Sequence, residues 1–437
     1  MNLLSLLAGQ TKSDPHAIIA IDADPDQPQH VSRAELWRRT LQLRADLATA
    51  GVGRGDGVLV ALPAWSSALE WYIAVASLGA YAVGVDPGAD DDPAVLPDEF
   101  VEVLRRVRPK VVAAPYTGHD DAGASLREAL RRCAAHGGAP TVSVVTAPGR
   151  VPPVDPSPYD VGAGAWLPSA ATAGMPMPPV EGDELAVAFL PGLAAHRESA
   201  LTRHARDLAS ALGLGDDDVV LCARPTCDPM WLAFAFAAVA SGSACLLDPT
   251  PTPRTLLDEV VRFGVTHLAA DDRLVGALAE LGPVEGKAMT SWRWLGVVGD
   301  TDTASNAVRR AQQVFGISGT AMYGSAEVCS PATLWPVDAP LDTRAQSGGT
   351  PIGDGVEVRI AHPRTSTPLA SGELGEIQFR GHTVVDSYLD SPDTLDRRRT
   401  ADGWFRTGDA GAHDPGRGLR HTGRLVGDTA GTGDTKD

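Results

Sequence analysis

The sequence predicts an α/β protein: two α/β subdomains with mostly parallel sheets, closed by a small C-terminal β-rich, barrel-like lobe. Three observations carry this. Helix and strand signals alternate through residues 1–146 and again through 184–335. The strand signals are short continuous apolar runs, the mark of strands buried on both faces. After about residue 340 the pattern changes to short strands between turns, such as GVEVRIA at 355–361 and GEIQFR at 375–380.

In the first stretch, Ser32 and Glu35 form a capping-box pattern, with Ser32 as N-cap and Glu35 three residues on. Leu36, Leu43 and Leu47 then share one face of the helix that follows. Val58–Leu62 reads as a strand and 65–79 as a helix, with further strands at Tyr81–Val85, Lys110–Ala114 and Thr141–Thr146. Residues 147–183, rich in Pro, Gly and Ala, break the rhythm and read as a linker or surface excursion.

Alternation resumes with a strand at Leu185–Leu190, a helix over 198–212, a strand at Asp218–Ala223 and a helix over 229–241. Helices are expected over 254–263, 272–281 and 303–315, with strands at Thr266–Ala269, Arg293–Val298 and Ser318–Tyr323. Residues 336–424 make the β-rich lobe, and 425–437 a flexible tail without a fold of its own.

Composition narrows the function. The chain has 437 residues, 43% hydrophobic and 21% charged, enough to bury a large core. A net charge of −18 argues against nucleic acid or an anionic membrane as partner. No apolar run approaches the roughly 20 residues that span a bilayer, and the N-terminus lacks the basic region of a signal peptide. Cys133, Cys222, Cys227, Cys245 and Cys329 are scattered without metal-ligand spacing. Reduced thiols in a cytoplasmic protein are therefore expected. Separately, no haem, flavin, zinc or NAD is expected as cofactor. Basic charge comes almost wholly from arginine, the lysines being Lys12, Lys110, Lys287 and Lys436.

Four motifs follow in order. Tyr323-Gly324-Ser325-Ala326-Glu327 opens a turn after an apolar strand, and Gly372-Glu373-Leu374-Gly375-Glu376-Ile377 comes next. Gly403-Trp404-Phe405-Arg406-Thr407-Gly408-Asp409 and Thr422-Gly423-Arg424 complete the set. Their order and spacing resemble the adenylate-forming superfamily of acyl- and aryl-CoA ligases, luciferases and peptide-synthetase adenylation domains. The resemblance covers essentially the whole chain, including LGAYAVGVDP at 78–87.

That resemblance implies a site for ATP or AMP with Mg²⁺. Tyr323 would lie against the adenine face and Glu327 would hold the magnesium, a hard cation that prefers carboxylate oxygen. Asp409 would accept from the ribose hydroxyls, with Arg424 near the same sugar and Gly299 and Asp300 near the base. Asp409 and Arg424 have an alternative reading as supports of a turn and an interdomain contact.

Three departures from the family pattern are visible. The family's phosphate loop has the form T-S-G-T-T-G-x-P-K-G, whereas Pro191-Gly192-Leu193-Ala194-Ala195-His196-Arg197-Glu198-Ser199 stands here. Its hydroxyl cluster and lysine are gone. His196 or Arg197 offers a substitute cation, but Glu198 would repel a polyphosphate; an ordinary loop feeding the next helix is the better reading. Ala326 replaces a threonine that contacts the α-phosphate. The sequence ends soon after Arg424, where the family hinge begins (near Asp428). The resemblance places a mobile C-terminal domain with a catalytic lysine beyond that point, and the expectation is that this domain is missing and that Lys436 in its GTGDTKD tail is no replacement.

The acyl side is expected around Cys227, Asp228, Trp231 and Met322. Asp228 matches a position that holds a substrate ammonium in amino-acid-activating members, but Asp followed by Pro229 is also an N-cap with proline at the first helical position, and the cap is preferred. Cys227 reads as a small buried hydrophobe rather than a nucleophile, and Ser325 is not in a nucleophile elbow.

The favoured reading is a divergent family member that handles an acyl, aryl, amino-acid or carrier-bound substrate without ordinary ATP cleavage. High Ala, Gly, Asp and Arg resemble a GC-rich actinobacterial protein, with specialised metabolism as the setting. Genuine acyl-adenylate formation, slow or completed by a domain in trans, is the second reading. A non-catalytic partner of biosynthetic enzymes is the third.

Overall fold

The computed structural model describes residues 2–24, 26–87, 96–117, 124–135, 137–160, 162–169, 183–284 and 289–425. Lys287, Asp428, Lys436 and the tail from 426 onward lie outside the described residues. Within them stand two largely parallel sheets and one antiparallel sheet.

The eight-stranded sheet runs, in spatial order, Ser387–Tyr388, Ala194–Arg197, Leu185–Phe189, Tyr81–Gly84, Gly57–Val60, Val111–Tyr116, Thr141–Thr146 and Ala165–Trp166. The seven-stranded sheet runs Ser318–Ala321, Trp294–Val298, His267–Asp271, Val219–Cys222, Ala244–Leu247, Ile18–Asp22 and Gln29–Ser32. The two sheets exchange strands across the expected division of the chain. Ile18–Asp22 joins the second sheet by parallel pairing with Ala244–Leu247, and Leu185–Phe189 joins the first beside Tyr81–Gly84.

The helices Glu198–Leu212, Pro229–Ser241 and Asp272–Leu281 have the expected bounds. Pro229–Ser241 is apolar on every side, as a helix buried all round must be. Trp231, Phe234 and Phe236 are each 1% exposed or less and share one core with residues of both sheets. In the N-terminal helix Arg33–Thr49, Ser32 Oγ accepts from the Glu35 amide at 3.2 Å. The reciprocal half of the capping box is replaced by a pair between Glu35 and Arg39, one turn on. The expected linker is partly structured: Ala165–Trp166 adds an edge strand, while Val151 and Val154 stand exposed.

The closing lobe is an antiparallel sheet in the order Thr333–Leu334, Gly348–Pro351, Gly418–Arg424, Phe405–Asp414, Gly375–Arg380, Glu357–Ala361. Ile377, Phe379, Phe405 and Leu419 fill its inner face against Tyr323 and Tyr388. Trp294–Val298 and Ser318–Ala321 are parallel neighbours, so the turns at Gly299 and Tyr323 leave the same carboxyl edge, where open α/β sheets place ligands. Among the described residues no helix is long and apolar enough to cross a membrane.

Candidate functional site

A cavity of about 520 Å³ lies between that carboxyl edge and the antiparallel sheet. Its walls include Gly299, Asp300, Met322, Tyr323, Glu327, Asp409 and Arg424, seven of the residues singled out from the sequence. Its size falls within the range of ordinary small-molecule sites. Gly299 is held at φ +155°, and a Cβ there would meet the Asp272 carboxylate at 2.3 Å, so the close approach of Asp272 requires glycine. Asp300 precedes the helix Thr301–Phe315 but caps none of its amides, so its exposed carboxylate is free of that task.

Tyr323, Asp409 and Arg424 form a chain of contacts. Tyr323 Oη donates to Asp409 Oδ2 at 2.7 Å, and Arg424 Nη1 donates to Asp409 Oδ1 at 3.0 Å. Asp409 and Arg424 face each other directly in the antiparallel ladder, which is why their side chains meet. Burial and the Asp409 carboxylate push the Tyr323 hydroxyl well above its ordinary pKa, so it stays a donor. The residue is only 5% exposed, its ring stacked on Phe379 at 6.1 Å and tilted against His421 at 4.8 Å. Little ring face is left for an adenine to cover.

Glu327 sits at the other end of the same wall. Its Oε1 accepts from Arg398 Nη1 at 3.0 Å and from Tyr388 Oη at 3.3 Å. Arg398 also donates to the Thr407 carbonyl at 2.8 Å and borders the cavity. A guanidinium thus occupies one oxygen of the carboxylate that the family resemblance assigns to magnesium. Among the described residues no group of three or more His, Cys, Asp or Glu is placed to hold a metal ion.

The segment expected to cradle a polyphosphate is a tight hairpin. Strands Leu185–Phe189 and Ala194–Arg197 pair antiparallel across Leu190, Pro191, Gly192 and Leu193, and the second strand pairs onward with Ser387–Tyr388. The expected ordinary loop is therefore a strand bound on both sides, because the turn is too short to leave the sheet. His196 is fully buried, with Nε2 2.6 Å from the Ala326 carbonyl oxygen and Nδ1 3.5 Å from Cys329 Sγ. Since a carbonyl only accepts, Nε2 carries the proton, and burial lowers the pKa to keep the ring neutral. Arg197 pairs with Asp386 at 3.0 Å, and Glu198 accepts from the Leu3 amide at 2.9 Å. His196 and Glu198 are thus committed inside the fold, and Arg197 is paired with a carboxylate. The cations and acceptors left on this wall, Arg398, Arg424 and Asp409, suit a hydroxylated group carrying one anion, and the hairpin at 190–193 offers a magnesium-bound triphosphate no lysine, serine or threonine.

Three substrate-pocket candidates, Cys227, Asp228 and Trp231, do not line this cavity. Asp228 caps the helix Pro229–Ser241 through Met230 N at 2.8 Å and pairs with Arg224 at 2.7 Å. Burial pushes the Cys227 thiol up to about 12, which leaves it protonated at neutral pH. A second cavity of about 580 Å³, bordered by Asp22, Pro63, Asp86, Arg224 and Asp248, opens where strands of both parallel sheets end.

Arg398, Ser347 and His421 also line the first cavity and carried no sequence signal of their own, while Thr407 lies within the Gly403–Asp409 motif without having been given a role. Arg398 lies in the run Arg397-Arg398-Arg399, which reads as a solvated charged face. The nearest available signal was its position just before the Gly403–Asp409 motif.

The family model described as AMP-binding enzyme matches residues 7–389. A salicylyl-CoA synthase / salicylate adenylyltransferase of a Streptomyces species is 26% identical over 95% of this chain and 73% of its own. The rice (Oryza sativa subsp. japonica) 4-coumarate–CoA ligase 2 is 30% identical over 46% of this chain, a match spanning 36% of that relative's length. Among solved structures, ATP-bound MatB from Rhodopseudomonas palustris superposes with a TM-score of 0.79 at 22% identity. That match covers 97% of this chain and 79% of the other, a likeness of fold.

Proposed function

We propose, for a chain that belongs to the AMP-binding enzyme family, that the 520 Å³ cavity takes an adenosine nucleotide or acyl-adenylate, and that the protein handles a small acyl or aryl substrate without ordinary ATP-driven ligation. The observation that carries the first part is convergence. Gly299, Asp300, Tyr323, Glu327, Asp409 and Arg424 span over a hundred residues of sequence yet border one cavity at a strand-end edge. Asp409 still has lone pairs for ribose hydroxyls beside its bonds to Tyr323 and Arg424, since each carboxylate oxygen accepts twice. Support for the second part is the hairpin at 190–193, which presents no lysine, serine or threonine to a polyphosphate.

The aryl-acid names of the Streptomyces and rice relatives favour a small carboxylic acid, with a carrier-bound acyl group as a further candidate. Joint placement of Glu327 and Asp409 favours a second reading, slow acyl-adenylate formation completed by a domain in trans. Calorimetry with AMP, Mg·ATP and a non-hydrolysable aryl-adenylate tests both, beside substrate-dependent pyrophosphate exchange. AMP or adenylate binding without exchange supports the main reading. Robust exchange establishes the second in its place. Absence of any adenine-nucleotide binding refutes both.

A further inference from the structure

We infer that Arg398 takes the place of the divalent cation beside Glu327, so that this site selects an adenosine nucleotide with a single phosphate, or an acyl-adenylate, and binds it without metal. The inference rests on the adenosine reading of the cavity and adds how its phosphate is held.

The guanidinium is fixed by three bonds: to Glu327 Oε1 at 3.0 Å, to Tyr388 Oη at 3.1 Å and to the Thr407 carbonyl at 2.8 Å. It also lies over the Phe405 ring, 5.1 Å from the centroid. These bonds use three of the five N–H donors of an arginine. The side chain remains 29% exposed and borders the cavity. Arg424, 67% exposed along its side chain, borders the same space. A held, planar, always-charged fork matches a phosphate or the mixed anhydride of an adenylate.

Each arginine pairs with one carboxylate, Glu327 or Asp409, while Asp300 and Asp302 border the same cavity, so the two guanidiniums are the resident cations of a wall that also carries four carboxylates. The next phosphates of a triphosphate would have to reach the 190–193 hairpin. Arg106 is engaged there by Asp390 and the Pro191 carbonyl, and Arg197 by Asp386. What separates the two ends is that residues 190–193 carry no lysine, serine or threonine, whereas Arg398 and Arg424 both border the cavity itself.

The test is calorimetric titration of the full chain with adenosine, AMP and ATP, each in EDTA and in excess magnesium. AMP is expected to bind equally well in both, and more tightly than adenosine. Arg398→Ala is expected to weaken AMP by about 10- to 100-fold, the range of a lost charge-assisted contact, and to leave adenosine unchanged. Arg398→Gln, which keeps a donor toward Glu327 but drops the charge, carries the same test should the alanine variant not fold. AMP binding that requires magnesium overturns the inference. So does an Arg398 variant that weakens adenosine and AMP alike, or neither. Failure of adenosine and AMP to bind at all removes the adenosine reading itself, and the inference with it.

Discussion

Tyr323 donates its hydroxyl to Asp409 at 2.7 Å, tying the turn after the last strand of a parallel sheet to the middle of a strand in the antiparallel lobe. This bond crosses 86 residues of sequence and joins the two walls of the cavity. It makes Asp409 both a structural anchor and the expected acceptor for a ribose.

Replacing Asp409 therefore does two things. Asp409→Ala is expected to weaken AMP by about 10- to 100-fold, since hydrogen bonds to a charged acceptor contribute roughly 1.5–3 kcal/mol. It also leaves the buried Tyr323 hydroxyl unpaired and lowers stability by about 1–3 kcal/mol. Tyr323→Phe removes the donor but keeps the carboxylate, so its affinity loss should be smaller. Calorimetry and urea unfolding on both variants separate these effects. Equal AMP affinity in wild type and Asp409→Ala would rule out the ribose role.

Asp228 should behave as a helix cap. Asp228→Ala removes the acceptor for Met230 N and the partner of Arg224, and is expected to cost about 0.5–2 kcal/mol in urea unfolding. Discrimination between aryl acids and amino acids should not move. A selective loss of amino-acid binding with unchanged stability would restore the ammonium-contact role.

Glu198 gives stability a pH dependence of calculable sign. Burial raises its carboxyl from 4.5 to about 7. The folded state therefore holds a proton that the unfolded chain releases, and the stability this confers is lost as pH rises from about 4.5 to about 7. Glu198→Gln keeps an acceptor for Leu3 N and removes the ionisation. It should stabilise the protein above pH 7, by at most about 3 kcal/mol at 1.36 kcal/mol per pKa unit, and have little effect near pH 4. Buried His204, lowered to about 3, acts oppositely. Only the unfolded state is protonated between about 3 and 6.5, so stability falls as pH drops through that window. Chemical denaturation of both proteins across pH 4–8 reads the difference, and parallel curves would exclude the Glu198 contribution.

Gly349 is required by a close backbone approach of Leu334 within the antiparallel sheet. It stands at φ +126°, and a Cβ would lie 2.2 Å from the Leu334 carbonyl carbon. Gly349→Ala must both strain the backbone and push apart the pairing of Thr333–Leu334 with Gly348–Pro351. A loss of about 1–3 kcal/mol or more is expected in thermal or urea unfolding. An unchanged midpoint would show that the short edge strand yields freely.

By itself the sequence determined most of the helices and buried strands, though not the helix Leu3–Ser13 or the strands Ile18–Asp22, Ala194–Arg197 and Ala244–Leu247. Apolar runs of strand length and helix-length stretches between them set helices such as Glu198–Leu212 and Pro229–Ser241, because burial on both faces leaves a readable pattern. Local chemistry was equally legible at Asp228-Pro229, where the cap depends on neighbours two residues apart. The motifs around Tyr323, Glu327, Asp409 and Arg424 marked residues that do meet at one cavity.

Only the tertiary structure decided what those residues face. The exchange of Ile18–Asp22 and Leu185–Phe189 between sheets depends on pairing with strands far along the chain, which no local pattern encodes. Nor does spacing reveal that His196 turns inward to Ala326. Arg398 is the clearest case: a side chain in an arginine run looks solvated until Glu327, Tyr388 and the Thr407 carbonyl converge on it from three separate segments. A charge's role depends on its long-range partners, and those are set by packing.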